Sequence, residues 1–447
     1  MLFLSSEIGY AVRGPIRALA RCFFAVLAAS RALHRGRFVL PYLAREELQL
    51  RTLQMSPRIS ARCISKRFRF LGALSFLFSL VMFPAFSELD ALQSPSPTVA
   101  GDTPVDAPPL AKDLSPKFKR SDVRKALRKV ADWQLDRARP NFNEDWTYAA
   151  LYAGFMAVPA SVAGSRYQRA MLEMGKNFAW QLGPRLAHAD DEAIGQTYMQ
   201  LYLEHHDPPM MAPTRQSFDT VMEMPDDPAK PLWWWCDALF MAPPVLAELS
   251  NATGDRRYLT FLDREWSITS GKLYDPEQHL FYRDSSFLDK HEPNGKNIFW
   301  SRGNGWVMAG LVRVLEYMPK DDPLRPKYIR QLQQMAAAIA PLQSSDGLWR
   351  PGLLDAEAYP LPENSGSAFI TYALAYGVRE HLLDRKRYLP VVRKAWVGLL
   401  SHIYEDGRLG CIQPIGAAPG AFTPTSSYVY GVGAFLLAGS EIYKLAN

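Results

Sequence analysis

The chain has 447 residues, of which 48% are hydrophobic, 12% aromatic and 21% charged, so it carries ample material for a large core and disorder is excluded for most of it. The net charge of +6 is concentrated in residues 1–70, which carry +10 by themselves and leave the remainder at −4. A mildly acidic body excludes nucleic acid as a partner, and four scattered cysteines (Cys22, Cys63, Cys236, Cys411) exclude a disulfide framework or a zinc cluster.

In chain order, the first feature lies at residues 65–87. A basic stretch, Ser65-Lys66-Arg67-Phe68-Arg69, leads into an apolar run from Leu71 to Phe83 and a small-residue end at Pro84-Ala85-Phe86-Ser87. That is the layout of a secretory signal, and the run is shorter than the ~20 residues a membrane-spanning helix needs. Initiation at Met55 would put this signal at its usual place, so 55–87 is expected to be a signal peptide and 1–54 an upstream extension. Secretion or periplasmic export follows, with membrane attachment only if 71–86 stays uncleaved. Residues 88–116, rich in Pro, Ala, Asp and Ser, read as a flexible linker.

From 117 to 447 the apolar spacing is helical nearly throughout. Twelve segments are predicted, beginning near Arg120, Trp146, Gly164, Asp191, Thr214, Cys236, Asp255, Asn304, Pro326, Ser365, Arg385 and Ser427; the best strand candidate is 278–287. Twelve helices in one domain, with no interrupting linker, predict six stacked helical hairpins closed into an all-α (α/α)6 barrel. Every second segment opens on an unusual cluster: Asn143-Glu144-Asp145-Trp146, His188-Ala189-Asp190-Asp191, Trp233-Trp234-Trp235-Cys236-Asp237, Trp300-Ser301-Arg302-Gly303-Asn304-Gly305-Trp306, Glu363-Asn364-Ser365, and Thr425-Ser426-Ser427-Tyr428. Asp, Ser and Asn are ordinary helix caps. Caps do not require Trp beside them, however, and in a ring these helix starts would converge at one mouth.

Among these residues Asp237 stands out. A carboxyl held against three Trp is poorly solvated, which raises its pKa and suits it to general-acid work. Of the adjacent pair Asp190 and Asp191, one is expected to cap and the other to face the cleft; Asp190 is the choice for a second catalytic carboxylate. Arg302, between Trp300 and a Gly-Asn-Gly-Trp run, offers a fork for a carboxylate. No Gly-x-Ser-x-Gly elbow supports a serine nucleophile, and His205-His206-Asp207 and His279 are weak metal candidates, so no metal and no cofactor are expected.

The runs Trp234-Trp235-Cys236-Asp237-Ala238-Leu239-Phe240-Met241 and Arg302-Gly303-Asn304-Gly305-Trp306, with His188-Ala189-Asp190-Asp191 and Glu363-Asn364-Ser365-Gly366-Ser367, resemble the unsaturated rhamnogalacturonyl hydrolases of glycoside hydrolase family 105, allied to family 88. The likeness covers about 120–445. It implies an (α/α)6 barrel that removes a 4,5-unsaturated uronic acid from the non-reducing end of lyase-generated oligosaccharides. An acid protonates C4 of the vinyl ether, water adds at C5, and the hemiketal opens and expels the remaining saccharide. By this resemblance Asp237 is the acid and Asp190 the second essential carboxylate. Trp146, His188, Asp191, Trp235 and Trp306 are expected around the sugar, with Arg302 on the uronate. Where the family often carries a substrate-contacting His after a strand, this chain has Arg283, followed by Asp284, which leaves open pectin-type or other acidic glycans as substrate; Arg283 is expected to contact acidic groups of the substrate, the alternative being a purely structural hairpin contact with Asp284. An inverting glycosidase, an epimerase or a non-catalytic glycan-binding protein on the same barrel are the alternatives. The partner expected is an acidic oligosaccharide, with no stable protein partner.

Overall fold

The computed structural model describes residues 100–225 and 230–447. The extension 1–54, the signal segment 55–87 and the first part of the linker, 88–99, lie outside the described residues. Twelve helices of eleven residues or more occur among the described residues: α1 Arg120–Ala138, α2 Trp146–Ala157, α3 Arg166–Asn177, α4 Gly195–His205, α5 Ala212–Glu223, α6 Pro243–Thr253, α7 Arg257–Leu273, α8 Ser301–Tyr317, α9 Arg325–Ile339, α10 Asn364–Arg379, α11 Arg385–Leu400 and α12 Val429–Leu445. Each begins within a few residues of its predicted start, apart from α6, which follows a separate helical turn over Ala238–Met241. Proline sits in the first turn of α5, α6 and α9, where its missing N–H costs no hydrogen bond.

The even-numbered helices form the inner ring. Each packs on the next, α2 on α4, α4 on α6, and so on to α12, which closes the circle against α2. Their surfaces are apolar nearly all round; in α2 every residue from Thr147 to Phe155 is buried. The odd-numbered helices form the outer wall, buried along one stripe and charged along the other, each against an inner helix: α1 on α12, α3 on α2, α7 on α6, α9 on α8, α11 on α10. This is an (α/α)6 barrel. Closure depends on glycine: a methyl group on Gly433 of α12 would lie 2.2 Å from the Ala150 carbonyl oxygen of α2, and one on Gly154 would meet Gly433 itself at 2.7 Å.

Two short strand pairs complete the fold. Tyr274–Asp275 (β2) pairs antiparallel with Leu280–Phe281 (β3), two residues of the strand candidate 278–287. Gly101–Asp102 (β1) pairs with Ser427–Tyr428 (β4) ahead of α12. This second pair corrects the expectation of a flexible linker up to 116. From Ala100 onward the segment is laid along the barrel. The Glu405 N–H donates to the Pro109 carbonyl (2.9 Å), the Ala111 N–H to the Ile403 carbonyl (2.8 Å), and Asp102 pairs with the buried Arg408. Its Pro-rich composition reflects an extended strap that forms its hydrogen bonds with other segments rather than a free tether.

Candidate active site

The starts of the inner helices meet at one mouth. Trp146, at the head of α2, stacks on Tyr430 of α12 (centroids 5.4 Å), and Arg302, in the first turn of α8, reaches both Tyr430 and Glu363, the cap of α10. Asp145 caps α2 by accepting the Thr147 N–H at 2.9 Å. Glu363 is fully buried and accepts the N–H groups of Ser365, Gly366 and Gln413 and the Ser365 hydroxyl.

Asp237 lies at this mouth, ahead of the helical turn Ala238–Met241, and its side chain caps nothing. Its carboxyl is almost enclosed, with the side chain 12% exposed. Oδ1 accepts the Cys236 thiol at 3.3 Å, and Oδ2 is 3.9 Å from Arg283 Nε. Burial pushes the Asp237 pKa above the usual carboxylate range, opposed by the charge of Arg283 and by the thiol. Burial raises the Cys236 thiol well above its ordinary value too, so it remains a donor. Asp190, on the turn Ala189–Glu192, is raised to about 7, first by burial and then by the charge of Asp237. Two carboxyls that repel one another in a poorly solvated cleft retain a proton near neutral pH, the condition for general-acid chemistry.

Arg283 reaches Asp237 through a chain of local contacts. Asn304 of α8 accepts the Phe281 N–H (2.8 Å) and donates to the Phe281 carbonyl (3.0 Å), which fixes β3 against the helix. The Cys236 N–H then donates to the Arg283 carbonyl at 2.8 Å. The guanidinium donates to Asp284 (2.7 Å) and lies over the Trp234 ring, 5.4 Å from its centroid. Arg283 therefore makes the hairpin contact and also faces the candidate acid.

The structure brings Asp190, Asp237, His188, Trp235 and Arg283 together. His188 is tilted against Trp235 (5.2 Å), with Nδ1 4.0 Å from Asp190, and burial followed by the charge of Arg185 lowers its pKa so that it is neutral at pH 7. Trp146 remains half-buried on Tyr430. Three expected substrate contacts are corrected. Asp191 is clamped by Arg185, accepting its backbone N–H at 2.6 Å and two guanidinium bonds at 3.0 and 2.7 Å, so it fixes the 183–191 loop. The Arg302 guanidinium is only 1% exposed and donates to the carbonyls of Gln413 (2.6 Å) and Pro414 (2.8 Å), leaving it to hold the 413–414 loop rather than a ligand. Trp306 is equally buried, packed among Phe240, Phe369 and Trp146, and supports the floor from beneath. Gly303 and Gly305 lie inside α8 and admit protein neighbours: a methyl group on Gly303 would be 3.1 Å from Cys236 Sγ, and one on Gly305 would be 3.1 Å from the Gly366 carbonyl. Trp234, not singled out beforehand, is the indole of the triple-Trp run that faces solvent, at 49% exposure.

The Glycosyl Hydrolase Family 88 model matches residues 118–446, the whole barrel. The chain belongs to glycosyl hydrolase family 88. It is 41% identical over 347 residues to an unsaturated 3S-rhamnoglycuronyl hydrolase of Formosa agariphila, covering 73% of this chain and 91% of that one. An Alteromonas enzyme of the same name is 31% identical, covering 70% and 84%. Among solved structures, a family 88 glycosyl hydrolase from Bacteroides vulgatus superposes with a TM-score of 0.69 at 31% identity, covering 73% of this chain and 99% of that chain. Family 88 membership makes the chain a glycoside hydrolase. Among the described residues no group of three or more His, Cys, Asp or Glu is placed to hold a metal ion.

Proposed function

We propose that this family 88 enzyme removes a 4,5-unsaturated uronic acid from the non-reducing end of an oligosaccharide whose next sugar is rhamnose. The observation that carries the reading is the placement of Asp237: a buried carboxyl with a raised pKa, beside a second raised carboxyl and 3.9 Å from an arginine. A vinyl ether needs a carboxyl that still holds its proton at the working pH, kept dry beside the carbon that takes it. The proton of Asp237 goes to C4, leaving an oxocarbenium ion at C5 and the ring oxygen. Water then adds at C5 and gives up a proton to a carboxylate of the pair. The hemiketal opens to a C5 ketone, and collapse at C1 releases the remaining saccharide as an alcohol.

Arg283 has the right place for the uronate. The substrate carboxylate is bonded to C5, one bond from the carbon that accepts the proton, so its counter-ion must stand beside the acid. Arg185 is committed to Asp191 and Arg302 to the 413–414 carbonyls; Arg283 reaches Asp237 and has a guanidinium nitrogen beyond its Asp284 bond. The rhamnose assignment is supported by the names of the two curated relatives.

The test follows the ultraviolet absorbance of the C4=C5 chromophore in lyase-generated unsaturated uronyl-rhamnose oligosaccharides. The enzyme is expected to abolish the absorbance, and Asp237→Asn to slow its loss by at least ~100-fold, the scale of a lost general acid. Retained activity in Asp237→Asn would refute the role of the acid. The signal-like segment 65–87 supports secretion; fractionation of the native host is expected to find the barrel outside the cytoplasm, and a wholly cytoplasmic enzyme would contradict it.

A further inference from the structure

A groove of about 520 Å³ runs along the outer wall between α1 and α3, away from the mouth residues. Its floor is apolar, formed by Leu135 of α1 with Ala170 and Leu172 of α3. Its rim is charged: Arg139 stands just past α1, Arg166, Arg169, Glu173 and Lys176 line α3, and Asn177 closes the end. We infer that this groove is a second glycan site, separate from the catalytic mouth, that holds an acidic saccharide carrying a carboxylate on every second sugar. The choice of an acidic saccharide rests on the unsaturated-uronyl reading above; the placement of the charges does not.

The rim is written into the pattern of α3. Tyr167, Ala170, Met171 and Met174 are buried, whereas Arg166, Arg169, Glu173 and Lys176 recur at steps of three and four along the exposed face. Two of the four cations are neutralised from within. Arg166 pairs with Asp132 (2.9 Å) and Asp136 (2.8 Å) of α1, and Arg139 pairs with Glu173, so these contacts bridge the groove and hold its two walls together. Arg169 and Lys176 are left over. Among the described residues neither has a carboxylate within 4 Å, and Arg169 donates to the Ser165 hydroxyl alone. On a chain that is net acidic beyond residue 70, these two cations stand ready for an outside anion.

Their spacing selects the anion. Seven residues, two helical turns, separate Arg169 from Lys176, about 10 Å along the axis. That is the length of two linked pyranose rings, so the pair matches carboxylates on alternate sugars, with the apolar floor under the C–H face of the rings. A nucleic acid fits badly. Its phosphates recur at every nucleotide, and the groove has no aromatic ring on which a base could stack. The groove also has a direction. α3 leads into the segment that ends at His188 and Asp190, so Lys176 and Asn177 mark its end nearer the mouth. A chain held here stays close to the acid without occupying its place, which raises the local concentration of further chain ends.

The probe is a saturated hexasaccharide of alternating uronic acid and rhamnose, which has no double bond to hydrate. The readouts, on the intact chain, are its Kd and the rate at which an unsaturated uronyl-rhamnose disaccharide is bleached. The wild type is expected to bind the hexasaccharide without slowing the bleaching. Arg169→Glu/Lys176→Glu is expected to weaken that binding about tenfold and to leave kcat/KM for the disaccharide unchanged. Lys320→Glu/Lys386→Glu makes the same change in net charge at exposed positions elsewhere on the barrel and is expected to leave both readouts unchanged. No binding by the wild type, binding that competes with the disaccharide, or an equal loss in the two double variants overturns the site. Vesicles of anionic phospholipid that bind through Arg169 and Lys176 where the hexasaccharide does not would give the groove to a lipid surface and overturn it as well. If the wild type leaves the disaccharide unbleached, the unsaturated-uronyl reading has failed, and the hexasaccharide Kd still reports on the groove.

Discussion

Asp190 shows how much of the chemistry is a matter of solvation. Its carboxyl rises from an ordinary 3.8 to about 7 because it is buried near Asp237. The folded state therefore prefers Asp190 protonated, so its contribution to stability is fully present below about pH 4 and is lost as the pH climbs through 7. Asp190→Asn removes that cost. The variant is expected to be more stable than the wild type by about 1–3 kcal/mol at pH 8 and equal to it near pH 4, while losing at least ~100-fold in activity. Thermal melts at the two pH values together with rates check this; a variant less stable at pH 8 would refute the charge penalty. Asp237 is conspicuous in the sequence because it follows three tryptophans, and Asp190 because it sits in a His-Ala-Asp-Asp run. The partners that decide each residue's role are not. Nothing local shows that Arg185 claims Asp191, or that Arg302 turns to carbonyls more than a hundred residues away. Which of three consecutive tryptophans faces solvent is likewise fixed by the packing of α7 and the 280–286 hairpin, not by the run itself.

At the level of elements, helical periodicity placed all twelve helices, because inner helices are apolar on every side and outer ones along a stripe. The start of α8 fell earlier than its pattern indicated. Gly303, one residue ahead of the expected start at Asn304, and Gly305 are both helical positions kept small for Cys236 and Gly366. The same logic closes the ring at Gly433. Gly433→Ala drives a methyl group to within 2.2 Å of the Ala150 carbonyl and is expected to cost about 1–3 kcal/mol, read as a lower melting temperature. Gly271→Ala, on the exposed side of α7 with nothing within 4 Å, is the matched control and is expected to stabilise by about 0.5–1 kcal/mol. Equal effects at the two positions would show that the close approach of α2 and α12 does not matter. The strap from Ala100 onward was illegible for a related reason. Its pairing with Ser427–Tyr428 joins residues more than three hundred apart, and proline-rich composition alone does not distinguish a tether from an extended segment bonded elsewhere.

Over the whole molecule, the barrel is a device for gathering six helix starts at one end. The inner helices bury the hydrophobic surface that holds the ring, which frees their starts and the short turns ahead of them to carry Trp146, Asp190, Asp237 and the cap of α10. Arg283 arrives from the hairpin between α7 and α8, and a dry acid, a second carboxyl and a cation come to stand together. The chemistry assigned to this mouth makes one bond from hydrogen to carbon, and that bond is the most direct thing to observe. Turnover of an unsaturated uronyl oligosaccharide in heavy water, followed by NMR from the earliest time points, reports how deuterium enters C4. Delivery by Asp237 gives a single deuterium on one face of C4 while the chromophore disappears, at a rate that collapses in Asp237→Asn. Deuterium on both faces in equal amount, or release of the saccharide with the double bond intact, would contradict it.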